Sequence, residues 1–197
     1  NPIQLIPWRG SLRPMRVGIL HGEKDDRCPV EVVRRADKEL LRLGVERRFV
    51  EIAGGRHGVT WRRHAPQLCA WVAEHTRDPH PQKVTYFPDR SGDRCFWLET
   101  LGLDIVEPGK RSAWEPPPAK VEADARDDGT INITTRGVTR LRVWLDDDAA
   151  LIRVNKIDVT TEPSKRLREA LVYAKARRDP QLFRAWAVDV EVAANDN

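Results

Sequence analysis

No apolar run in this chain approaches the about 18 residues that a membrane-spanning helix needs, so no membrane partner is expected. Cysteine is scarce. The three residues, Cys28, Cys69 and Cys95, form no C-x-x-C pair, which argues against a zinc knuckle or a dithiol redox centre. One disulfide and three free thiols both fit their number. No basic-then-apolar leader opens the chain, and its first residue is Asn. That start fits a processed product or a piece of a longer polypeptide. An excess of one charge is also nearly lacking. The net charge is +4 and the pI about 9.1, but residues 1–78 carry 15 − 10 = +5 and residues 79–197 carry 19 − 20 = −1. The arginine pairs 34–35, 47–48 and 62–63 sit among acids and read as solvated faces, so no nucleic-acid partner is expected.

What is present divides into two textures. In residues 15–76, short apolar runs alternate with helical patterns. MRVGIL (15–20) reads as a buried strand. Pro29 suits a first helical position, and Val32, Val33, Ala36, Leu40 and Leu43 follow at helical spacing. Gly44 reads as a left-handed helix stop. RRFVEI (47–52) reads as a second strand, GGRHG (54–58) as a loop, and Pro66 as the start of another helix. Strand, helix and strand in that order imply a parallel pair with a crossover helix.

The stretch 76–83 is polar and contains prolines, and marks a boundary. Beyond it lie short alternating runs at 83–87, 94–99, 120–125, 130–135, 139–145, 151–157 and 184–192. One helix is expected from Pro163, with Leu167, Ala170, Leu171 and Ala174 along one face. Prolines 116–118 read as a stiff spacer or edge cap. Of Trp97, Trp114, Trp144 and Trp186, the residues at 144 and 186 lie in apolar strands and are expected in the core. The expected class is α/β for residues 1–78, as parallel strands with a crossover helix. A sandwich-like β-rich module with one helix is expected over 83–192.

Two polar residues occupy telling places. Asp25 lies just past the first expected strand and His57 just past the second. Parallel strands gather ligands and catalytic groups outside their carboxyl ends. An aspartate there can hold one imidazole nitrogen and leave the other free as a general base. Asp26 is expected to serve the turn and the helix N-terminus. His21 is expected to support the loop. His64, His75 and His80 fit no metal-ligand spacing.

The segment VGILHGEKDDRCPVEVVRRADKELLRLGVERRFVEIAGGRHGV resembles the end of an α/β-hydrolase catalytic domain, of the prolyl-oligopeptidase and dienelactone-hydrolase-like branch. His21, Gly22, Asp25, Asp26, Pro29 and Val30 match the strand end, triad acid and following helix. Gly55, His57 and Gly58 match the histidine loop. The acid and the histidine are 57 − 25 = 32 residues apart. The resemblance implies the C-terminal part of a serine hydrolase acting on an ester or peptide bond, with Asp25 and His57 as catalytic residues and no metal or organic cofactor. No G-x-S-x-G occurs, and RSGD (90–93) lacks the elbow glycines. The nucleophile is therefore expected from a missing N-terminal hydrolase half, and this chain alone is not expected to be active. The competing expectation is a non-catalytic binding or assembly module. Its open sheet edge would be covered by a partner chain.

Overall fold

The computed structural model describes residues 15–58, 61–76, 78–104, 118–148 and 150–192. Expectations for Trp114, Pro116 and Pro117 lie outside these residues. The described residues form two compact units, one up to Asp78 and one from Pro79 onward.

The first unit holds strands β1 (Val17–Gly22) and β2 (Arg47–Ile52), paired in parallel with Gly22 opposite Ile52. Helix α1 (Val30–Arg42) connects them and buries Val30, Val33 and Leu40. Fully burying each such side chain contributes about 1.5–3 kcal/mol. Gly44 ends the helix at φ +74°. Its N–H donates to Leu41 O at 2.9 Å and that of Val45 to Leu40 O at 3.0 Å, which satisfies two orphan carbonyls. Helix α2 (Trp61–Ala73) lies against β1. Gly18 makes that approach possible, because a Cβ there would stand 2.7 Å from Leu68 Cγ. Pro66 lies inside α2 and does not start it. A proline costs the helix one internal hydrogen bond without dictating where it begins.

The second unit holds two five-stranded sheets. The first has the order β10 (Ile157–Asp158), β9 (Leu151–Val154), β7 (Thr130–Arg136), β6 (Lys120–Ala125), β3 (Lys83–Tyr86). The second has the order β11 (Ser164–Lys165), β12 (Trp186–Glu191), β8 (Val138–Leu145), β5 (Leu98–Leu103), β4 (Arg94–Cys95). Val121, Ile133 and Val154 from one sheet and Leu98, Leu141 and Val188 from the other belong to one buried core. The alternating pattern of each strand supplies this face. Tyr86 on β3 and Thr100 on β5 share a buried hydroxyl–hydroxyl hydrogen bond of 2.6 Å that joins the two sheets.

The α/β class expected from the sequence is overturned. The described residues are mostly β, 37% strand against 24% helix, and they do not form an α/β-hydrolase with a parallel sheet. Among the described residues, parallel pairing linked by a helix is confined to β1 and β2. Among the described residues the other parallel pair, β7 with β9, is connected through β8 in the opposite sheet, with a tight turn at Gly137 (φ +64°) between β7 and β8, and not through a helix.

Local expectations shift in the same way. The run 94–99 folds back at Phe96 and Trp97 into the β4–β5 hairpin. The run 151–157 folds back at Asn155 and Lys156, both at positive φ. Pro163 does not start the helix, since Ser164 and Lys165 pair with β12 first. Helix α3 (Leu167–Arg177) follows. It buries Ala170 and Ala174, while Leu167 and Leu171 face outward. Trp144 is buried and Trp186 is half-buried against the core. Arg94 pins α3, stacking 4.3 Å from the Trp144 ring and 3.7 Å from that of Tyr173. Burial draws its pKa down to about 10, so it stays charged at neutral pH.

Candidate functional site

Register places Gly22 and Ile52 side by side, so the loops that leave β1 and β2 emerge at the same end of the pair. Hydrogen bonds then join the loops. Glu23 N–H donates to Ile52 O at 3.0 Å and Lys24 N–H to Gly55 O at 2.8 Å. In return Gly54 N–H donates to Glu23 Oε2 at 2.7 Å. The approach is closest between Gly22 and Gly55. A Cβ on Gly22 would stand 2.4 Å from Gly55 O, inside any permitted contact. Gly22 needs to be glycine because a Cβ there would meet backbone, and a Cβ on Gly55 would be tight against Ile52 O at 3.0 Å.

This junction brings Asp25 and His57 together. His57 Nδ1 lies 2.9 Å from Asp25 Oδ2 and 3.1 Å from Oδ1. The carboxylate only accepts, so Nδ1 carries a proton, and in the neutral ring the lone pair is therefore at Nε2. The Asp25 side chain is 4% exposed and that of His57 is 49% exposed. The acid is thus sealed, while the imidazole reaches solvent.

Asp25 has a second role. Its Oδ1 accepts from the backbone N–H groups of Arg27 and Cys28, both at 2.9 Å. It therefore shapes the turn that leads to α1. Asp26, expected to serve that turn, is exposed, and α1 has no side-chain cap. Burial pushes the Asp25 carboxyl pKa up, but the Cys28 N–H, the His57 ring and the Arg27 N–H outweigh it and bring it down to about 2. The ionised form is thereby secured at neutral pH.

His21 supports the same turn. Its Nε2 lies 2.8 Å from Cys28 O, to which it donates, and 3.5 Å from Asp25 Oδ2. His80 lies in the second unit, where its Nδ1 accepts from Arg184 Nε at 2.8 Å. His64 and His75 are half-buried. Among the described residues no group of three or more His, Cys, Asp or Glu is placed to hold a metal ion. The three cysteines are free thiols.

Sequence reasoning missed Glu23 and the Cys28 N–H. Glu23 carries a weak signal as an acid just after the strand, opposite a glycine loop. The Cys28 amide carries none, since any residue supplies a backbone N–H.

Chemically, the pair can accept a proton at His57 Nε2 and stabilise the resulting imidazolium through the ionised Asp25. The Arg27 and Cys28 amides are committed to Asp25, so they are not free to bind an oxyanion. No family model matches the chain, and neither does any curated protein or solved structure.

Proposed function

We propose that Asp25 and His57 form the acid–base part of a serine-hydrolase centre that cleaves an ester or peptide bond. The observation that carries this reading is the 2.9 Å contact from His57 Nδ1 to the buried Asp25 carboxylate, with the imidazole open to solvent. His57 Nε2 takes the proton from a serine hydroxyl during attack and returns it to the leaving group. Asp25 fixes the tautomer and balances the charge. Residues 15–58, 61–76 and 78 contain no serine. The chain carries no G-x-S-x-G elbow, so in this reading the nucleophile and the oxyanion donors come from a polypeptide segment that joins this unit, and no activity is expected from the chain alone. The resemblance around HGEKDD and GGRHG supports the same assignment.

A fluorophosphonate probe tests it on the complete polypeptide in which this chain occurs. Serine labelling is expected there, slower by about 10⁴-fold or more in His57→Ala, as loss of a triad base implies. A folded, complete polypeptide that resists the probe, or a His57→Ala form that labels as fast as the parent, rejects the reading.

A further inference from the structure

The second unit carries a feature that the hydrolytic centre does not use. Helix α3 is docked through its small residues Ala170 and Ala174, while larger apolar side chains are left outside. Leu167 is 50% exposed and Leu171 58% exposed, one helical turn apart on the same face. A soluble surface helix normally turns such leucines inward.

An open groove of about 610 Å³ continues this apolar face. Leu171, Ala174, Pro180 and Phe183 contribute its apolar lining, and Lys175 and Arg178 add two positive charges. Among the described residues neither cation has a carboxylate partner. The one acid in the lining, Asp179, already accepts from Gln181 N–H at 3.0 Å and so serves the turn Pro180–Leu182. The groove therefore combines an exposed apolar strip with two cations against one carboxylate, a net positive charge at one end.

We propose that this face docks an amphipathic peptide segment of a partner protein, one that pairs apolar anchors with carboxylates. The apolar anchors lie along Leu167 and Leu171 and enter the groove above Ala174 and Phe183. The carboxylates meet Lys175 and Arg178. The apolar strip supplies affinity, and the charges set direction and reject basic segments. Because Leu167 and Leu171 extend the strip beyond the groove along the helix, the surface suits a segment lying along α3. A single small anion would leave those leucines uncovered.

The test uses the whole chain as bait for a displayed library of random 12-residue peptides. The expected enrichment is for peptides with two or more apolar residues beside Asp or Glu. A synthetic peptide of the enriched sequence is then measured by fluorescence anisotropy. Its affinity should fall roughly tenfold in the double variant Lys175→Glu/Arg178→Glu, since two screened pairs become repulsive. It should fall further in Leu171→Asp and weaken as salt rises. All three side chains are exposed, and an unchanged melting temperature for each variant shows that the fold is kept. No enriched class, a basic class, or binding that survives both variants overturns the proposal. Vesicles of phosphatidylcholine and phosphatidylglycerol form the second arm. Co-sedimentation that is lost in the same variants, without peptide enrichment, assigns the face to a lipid surface and also overturns it.

Discussion

Replacing Gly22 by alanine tests the geometry of the Asp25–His57 pair without touching either residue. The added Cβ would lie 2.4 Å from Gly55 O and 2.6 Å from its carbonyl carbon. A Cβ essentially never makes a non-bonded contact closer than 3.0 Å, and ordinary contact begins near 3.4 Å. The histidine loop must therefore retreat by 3.0 − 2.4 = 0.6 Å at least, and by 1.0 Å for an unstrained contact. The atom met is backbone, so no rotamer change relieves the clash. Moving packed backbone by that amount costs about 1–3 kcal/mol. The same displacement carries the 2.9 Å contact from His57 to Asp25 to about 3.5–3.9 Å, at or beyond the limit of a hydrogen bond. Two effects are expected together. The first unit should lose about 1–3 kcal/mol in denaturant unfolding. The His57 ring should lose its fixed Nδ1–H tautomer, read by the nitrogen shifts of the imidazole. Full stability with an unchanged tautomer would refute the account of the glycine junction. Lost stability with the tautomer retained would show that the junction does not position the pair.

Other outcomes follow from the same contacts. Asn in place of Asp25 presents an amide that can point N–H at His57 Nδ1, favouring the wrong tautomer. Under the proposed serine-hydrolase reading, it should lower turnover of an activated ester by the polypeptide that supplies the nucleophile by about 10⁴-fold. The Asp25 carboxyl lies below its ordinary 3.8, at about 2 in the fold, so its stabilisation is present above pH 3.8 and lost as pH falls through 2. Acid unfolding followed by fluorescence should accordingly flatten between those values in Asp25→Asn. In the second unit, Tyr86→Phe leaves the buried Thr100 hydroxyl without its partner and should cost about 1–3 kcal/mol. The double variant Tyr86→Phe/Thr100→Val should recover most of that loss, and thermal melts of all three forms check it.

Much of the candidate site was legible in the chain. Asp25 and His57 could be placed because apolar runs announce strands, and strand ends in a parallel pair face one way. Gly44 could be placed because a helix stop needs only a local left-handed residue. The division of labour between Asp25 and Asp26 was not legible. Both are acids in one turn, and only burial makes Asp25 the residue that accepts two backbone amides and the imidazole. Nor could the helix beginning at Pro66 or Pro163 be judged from proline alone. At 163 the backbone found strand partners in β12, and at 66 the helix had already formed a turn earlier. The α/β expectation failed for a related reason. It took one strand–helix–strand segment in residues 1–78 as part of a larger parallel sheet, while the described residues there pair only β1 with β2 and the strands beyond Pro79 decide the class.

The sequence by itself determined where most strand and helix runs lie, the glycine that stops α1, and the presence of an acid and a histidine after two successive strands. These depend on periodicity and on conformational preferences within a few residues. Tertiary structure alone decided that Gly22 and Gly55 touch, that Asp25 is sealed while His57 reaches solvent, and that α3 docks by alanines and leaves its leucines outside. Each of those depends on which surfaces meet. The burial free energy that selects them is shared among residues far apart in the chain, so no local pattern carries it.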